Sequence, residues 1–139
     1  MRKIYLEKKK FVRYNDTQVV AYLNEEVVDS YVPEDAPKDF VPVRAYAYSG
    51  TMEDGGTLID AADDNRNTLI NGIIRSRYSQ SEEDAIKTHR LMIDSKVVMQ
   101  NGKGQAEWEE RCLRYESEWS AFLVERENAI KSVDKWLAE

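Results

Sequence analysis

Apolar positions in the first sixty residues come in short runs separated by turn formers and never hold a helical period, which predicts strands. Phe11-Val12-Arg13-Tyr14 and Gln18-Val19-Val20-Ala21-Tyr22-Leu23 flank Asn15-Asp16, the pattern of a tight hairpin. Val27-Val28 and Tyr31-Val32 continue the sheet to Pro33, and Glu34 to Asp39, broken by Pro37, reads as an exposed loop. Val41 to Ser49 then alternates, with Val43, Ala45 and Ala47 on one face and Arg44, Tyr46 and Tyr48 on the other. The turn Glu53-Asp54-Gly55-Gly56 leads into Thr57-Leu58-Ile59, so these two strands are expected to pair as a second hairpin.

After Asp60 the period changes. Leu69, Ile70, Ile73 and Ile74 have the spacing of an amphipathic helix from about residue 63 to 77, with Asp60 or Asp63 as its cap. Gly72 inside it costs about 1 kcal/mol relative to alanine and is expected to mark a close backbone contact. Ser79 or Ser81 caps a second helix, since Glu82 and Asp84 follow at the capping-box spacing. Ala85, Ile86, His89, Met92, Ile93 and Val97 form its apolar stripe, and Asn101-Gly102 ends it before the turn Gly102-Lys103-Gly104.

The last segment is the most regular. Trp108, Cys112, Tyr115, Trp119, Phe122, Arg126, Ala129, Val133 and Trp136 alternate spacings of four and three, a heptad seam that only Arg126 interrupts with a charge. Glu107 with Arg111, Glu110 with Arg114 and Glu127 with Lys131 are acid-first i, i+4 pairs that support the exposed face. A helix of about 31 residues extends roughly 46 Å, longer than a compact domain of this size needs.

Together these elements predict an α+β fold. An amino-terminal antiparallel sheet of about four to five short strands fills residues 1–60, and three helices, the last long and aromatic-rich, fill 61–139. The two parts are expected to form one folded unit from which the last helix partly projects.

Composition narrows what this unit does. The 26 acids against 20 bases give a net charge of -6, which disfavours non-specific binding to polyanions. The longest apolar run, Val19 to Leu23, is far too short to span a bilayer. Glu7 and Lys8 to Lys10 stand where a secretory signal needs an apolar stretch. The single cysteine, Cys112, allows no internal disulfide and fits a reducing cytoplasm. The single histidine, His89, excludes two-histidine metal sites.

The candidate functional residues are weighed against plainer roles. Trp108, Tyr115, Trp119, Phe122 and Trp136 are bulkier than the residues of simple coiled coils and predict a protein-interaction surface; the plainer role is core packing against the first two helices and the small-residue strand face. Lys8, Lys9, Lys10 and Arg13 form a basic patch that could meet phosphate, extended by Arg75 and Arg77; the plainer roles are a lysine-defended strand edge and charges at a helix end. Three acidic clusters, at residues 60–64, 82–84 and 107–110, fall at predicted helix starts, where the dipole explains them better than a cation would. Cys112 and His89 sit on apolar stripes, which favours packing over a nucleophile and its base. No catalytic, cofactor-binding or metal-ligating residue is predicted, and no cofactor.

Tyr46-Ala47-Tyr48-Ser49-Gly50, Gly55-Gly56-Thr57-Leu58-Ile59, and Ile73-Ile74-Arg75-Ser76-Arg77-Tyr78-Ser79 followed by Glu83-Asp84-Ala85-Ile86 resemble small uncharacterised proteins of bacterial prophages and related mobile elements. The likeness covers residues 46 to 86. The carboxyl end, with Trp119 and Phe122 ahead of Arg126, resembles phage tail-fibre assembly chaperones. What the resemblance implies is a phage structural or assembly accessory factor acting by protein contacts, in the cytoplasm or the phage particle.

The leading expectation is thus a non-enzymatic interaction protein or homo-oligomer that uses its last helix. A nucleic-acid-associated factor using the basic patch ranks second, and an enzyme with a carboxylate pair between sheet and helices ranks third, because no spacing identifies such a pair.

Overall fold

The computed structural model describes residues 1–95 and 105–138. Six strands, β1 (Arg2–Tyr5), β2 (Phe11–Asn15), β3 (Gln18–Ala21), β4 (Glu26–Tyr31), β5 (Val43–Ser49) and β6 (Thr57–Asp60), precede three helices, α1 (Arg66–Arg77), α2 (Gln80–Ser95) and α3 (Gln105–Ala138). The fold is α+β, with more strands than expected and two sheets in place of one. Val97, the Asn101-Gly102 helix end and the Gly102-Lys103-Gly104 turn lie outside the described residues.

The first hairpin forms as expected, β2 antiparallel to β3 with Asn15 opposite Gln18. The second does not. Sheet I has the order β1-β5-β4 and sheet II the order β2-β3-β6, so β5 and β6 belong to different sheets. Both edges of β5 are taken: Ala47 stands between Ile4 of β1 and Glu26 of β4. The Gly-rich turn therefore carries the chain from one sheet to the other. It is fixed by Gly55 at φ 85°, by Met52 N–H donating to the Gly56 carbonyl (2.9 Å), and by Gly56 N–H donating to Asp54 Oδ1 (2.9 Å).

Sheet II is the middle layer, and the run Val19 to Leu23 explains why. Successive side chains point to opposite faces. Val19, Ala21 and Leu23 join Ile59 and Ala61 in a core shared with Leu69, Ile70, Ile73 and Ile74 of α1, Ile86 of α2, and Phe122, Ala129, Val133 and Trp136 of α3. Val20 and Tyr22 point the other way, into a second core with Tyr48, flanked by Tyr5, Tyr46, Met52 and Leu58. A strand covered on both faces needs an unbroken apolar run. The helices thus cover sheet II; the plainer role read from the sequence, in which the seam of the last helix also packs on the small-residue face of Val43, Ala45 and Ala47, has the wrong strand, since Ala45 and Ala47 lie outside this core.

Where α1 crosses β6 the spacing is closed by Gly72. A methyl group there would overlap the Asp60 carbonyl oxygen and stand 3.2 Å from Ile59 Cδ1. The expected close contact is real, and it reverses the usual effect of Gly to Ala in a helix. Gly72→Ala should lose about 1–2 kcal/mol, because overpacking exceeds the gain in helix propensity. Urea unfolding of the two proteins measures this, and an unchanged or raised midpoint would show that α1 can shift at no cost.

Helix α1 starts at Arg66, later than expected, because Asp60 is still paired in β6 and Asp63 is used in a turn. Asp63 Oδ1 accepts from the Asn65 N–H (2.9 Å), so neither acid caps the helix, and Asn65 stands at the N-cap. Helix α2 is capped as expected. Glu82 N–H donates to Ser79 Oγ (3.1 Å) and Ser79 N–H donates to Glu82 Oε1 (3.2 Å), a reciprocal capping box.

Candidate interaction surface

The heptad seam of α3 does not stay in the core along its length. A straight α-helix turns 100° per residue, so a strict heptad seam drifts by about 20° per heptad. Over four heptads Trp108 and Trp136 come to differ by roughly 80° in direction. The burial follows this drift. Tyr115, Phe122, Ala129, Val133 and Trp136 are buried, whereas Trp108, Cys112 and Trp119 are half-buried and Arg126 is exposed. Of the five aromatic residues expected at an interface, Phe122 and Trp136 serve the core; the Trp136 ring lies 5.5 Å from that of Phe11 in β2.

On the same angular measure Trp108, Cys112, Trp119 and Leu123 share an arc of about 60°, set beside the buried face. Leu123 is 42% exposed. A shallow groove of about 340 Å³ lined by Trp108, Glu109, Cys112 and Leu113 lies at the amino end of this stripe. Leu113 is 69% exposed, and Leu91 of α2 is as open. Sequence reading named Trp108 and Trp119 but missed Leu113 and Leu123; the signal was the drift of a strict heptad on a 3.6-residue helix.

The inner wall of the stripe is built from contacts between α2 and α3. The His89 ring of α2 stacks on Tyr115 (4.1 Å between centroids, 6° between planes), and its Nδ1 meets the Glu118 carboxylate. Arg111 donates to the Tyr115 hydroxyl (3.2 Å), which draws the phenol below its usual range, with Arg114 acting the same way. These contacts fix α2 to α3 and leave His89 engaged in packing. Cys112 is half-buried. Its thiol is pushed up by burial and by the nearby carboxylates of Glu116 and Glu109, the opposite of what an activated nucleophile needs.

The basic patch is tied to the chain's own aromatic and acidic groups. Lys9 Nζ lies 4.7 Å from the Tyr5 ring centroid and 6.0 Å from that of Tyr22, and Lys8 Nζ lies 5.5 Å from that of Tyr46. The Lys10 carbonyl accepts from the Tyr22 N–H (3.0 Å). Arg13 donates to the Ala61 carbonyl (2.5 Å) and pairs with Asp64, anchoring the approach to α1. Arg75 donates to the Tyr78 carbonyl and to Glu83, and Arg77 faces Glu125 at 3.9 Å.

Beneath Lys9 the tyrosines carry the second core's polar groups. Tyr22 donates to Asp54 Oδ2 (2.8 Å) and Tyr5 to the Asp54 carbonyl (2.6 Å). Tyr48 donates to Glu25 Oε1 (2.8 Å) and accepts from the Lys9 N–H (2.9 Å). Burial first, then the carboxylates, push the Tyr22 and Tyr48 phenols well up, so both remain neutral donors. The cluster closes the space between the sheets.

The clefts beside sheet II and α1 are open. One is lined by Thr17, Asp60, Thr68, Asn71 and Arg75 among others and carries a single carboxylate; a second, with Asn24, Ser49, Thr51, Thr57, Ser76 and Arg77, carries none. Among the described residues no group of three or more histidine, cysteine or acidic side chains is placed to hold a metal ion. No helix of the described residues is long and apolar enough to cross a membrane.

No protein-family model matches this sequence, and comparison with curated proteins and with solved structures likewise finds no match. The functional reading therefore rests on the residues themselves.

Proposed function

We propose that this chain is a non-enzymatic interaction protein that docks a protein partner on the amino-terminal half of α3. The observation that carries this reading is the half-exposed stripe Trp108, Cys112, Trp119 and Leu123, beside a buried face that already supplies the core. Tryptophan in particular dominates the energetics of protein interfaces. The phage assembly or tail-associated role implied by the resemblances of residues 46 to 86 and of the carboxyl end is one setting for such a docking protein.

An interface residue and a core residue differ in what their loss does to the isolated chain. Trp108→Ala should lower the unfolding free energy by less than about 1 kcal/mol. A core tryptophan would lose about 3–5 kcal/mol on the same truncation. Urea titration followed by circular dichroism distinguishes the two, and a loss in the core range would make the stripe part of the fold and end this reading.

A further inference from the structure

The two sheets end in β1, β4, β2 and β6, and the outer edge of a strand carries main-chain donors and acceptors that pair with another strand. Three of these edges are guarded or covered. β1 opens on Arg2 and Lys3, β4 is bent by Ser30 at φ 57°, and the Asp60 end of β6 lies against Gly72 of α1. The β2 edge is open along Val12, Arg13 and Tyr14, all exposed, and its register shift lies at the turn end, past Arg13. Tyr22 N–H donates to the Lys10 carbonyl (3.0 Å), in register with Val12 opposite Val20. Opposite pairs alternate between bonded and non-bonded, so Val12 bonds to Val20 while the N–H and C=O of Phe11 and Arg13 point out of the sheet. Between them Val12, on the face away from the helices, is 57% exposed. The Arg13 guanidinium is turned back from the edge to the Ala61 carbonyl and to Asp64.

Independently of the α3 stripe, we propose that β2 pairs with β2 of a second copy of this chain, antiparallel and two-fold symmetric about Val12. An isologous contact needs a surface that complements itself, and this edge does. The axis at Val12 sets Phe11 of each copy opposite Arg13 of the other. Each of these pairs exchanges two hydrogen bonds, so four bonds use every outward main-chain group of Phe11 and Arg13 on both copies. The two Val12 side chains meet across the axis in a non-bonded pair, where side chains stand closest and β-branched residues pack well. An axis at Arg13 would instead set two arginines opposite one another. It would also draw into the ladder Asn15, whose carbonyl and side chain are already used in the turn. The product of the Val12 axis is a continuous six-stranded sheet, β6-β3-β2 followed by its two-fold copy.

One strand pair of this length buries less than a standard interface, so the dimer should be weak, with a dissociation constant on the order of 10–100 µM. Light scattering of the full chain across that range should show the mass rise from 16.2 kDa toward twice that value. Val12→Lys sets two ammonium groups face to face and should hold the protein at the monomer mass, with an unchanged urea midpoint. Trp108→Ala should leave the dimer intact. A monomer at every concentration overturns the inference, as does a dimer that survives Val12→Lys. A dimer lost in Trp108→Ala would place the contact on the α3 stripe and overturns it too. Cross-linking tests the axis itself. In a Cys112→Ser background Val12→Cys should give a disulfide-linked dimer under mild oxidation, because the paired Cα atoms stand about 4.5 Å apart, within disulfide range. Tyr14 is also 57% exposed. Across the same axis it lies about 13 Å from its counterpart, so Tyr14→Cys should stay reduced. Equal cross-linking of the two variants would mean chance collision, and cross-linking of Tyr14→Cys alone a different register; either overturns the inference.

Discussion

Truncation of Phe122 to alanine is expected to cost about 3–5 kcal/mol, the range for a fully buried aromatic side chain whose cavity cannot collapse. Phe122 is 2% exposed and belongs to the core between sheet II and the helices. Its ring meets Tyr78 edge-on at 5.2 Å, at the joint between α1 and α2, and lies 6.2 Å from Trp119. Tyr78 is held in that joint by backbone bonds, with its N–H donating to the Ile74 carbonyl (2.8 Å) and its carbonyl accepting from Arg75. It cannot follow the lost ring inward. The loss should also reach the docking stripe, since Trp119 stacks on Phe122 from its exposed side. Equilibrium urea unfolding gives the first effect, and the tryptophan emission of the folded protein gives the second, since Trp119 loses its stacking partner. A loss of less than about 1 kcal/mol would mean that the joint between α1 and α2 repacks freely around the cavity.

The helical half of the molecule was the more legible in sequence, and physics gives the reason. Ser79 and Glu82 are three residues apart in a local motif, and the structure joins them as the spacing demands. Gly72 was conspicuous because glycine is poor in a helix interior, and the Asp60 carbonyl occupies the space it leaves. Strand pairing is non-local and leaves a fainter trace. The Gly-rich turn before Thr57 reads as a hairpin, but nothing in β5 or β6 alone states that β1 and β4 already occupy both edges of β5. The run Val19 to Leu23 did carry a usable signal, a strand buried on both faces, which predicts a layered arrangement once it is not read only against a membrane span. The interaction stripe was half legible. The seam located the helix face, yet only the mismatch between 3.5 and 3.6 residues per turn separates Trp108 and Trp119 from Phe122 and Trp136. Glu83 was hidden among three acids at a helix start, because dipole compensation explains all three equally well.

Glu83 is nevertheless the one acid of that cluster that the fold buries, and its loss should be the second largest effect. Its side chain is 7% exposed; it accepts from Lys87 Nζ at 2.5 Å and from Arg75 at 2.9 Å, joining the last turn of α1 to the first turn of α2. Glu83→Ala should cost about 2–3 kcal/mol, less than breaking a fully buried pair, because Lys87 and Arg75 are 53% and 31% exposed and can turn to water. The pH dependence has a definite sign. The hydrogen-bonded Lys87 ammonium, with Arg75 beyond it, holds the Glu83 carboxyl below its ordinary range against the opposing effect of burial. A carboxyl whose folded value lies below its unfolded value of about 4.3 contributes in full above that pH. The contribution is lost as pH falls through the folded value. Glu83→Gln keeps an acceptor and removes the titration, so its deficit relative to the native chain should be constant from pH 7 to about 5 and shrink below about 4. Asp54, Asp63 and Asp134 are also held low and make both proteins acid-sensitive, so the difference between the two curves, and not either slope, is the measurement. A deficit that stays constant down to pH 3 would assign the cost to side-chain shape and remove the charge of Glu83 from the α1–α2 joint.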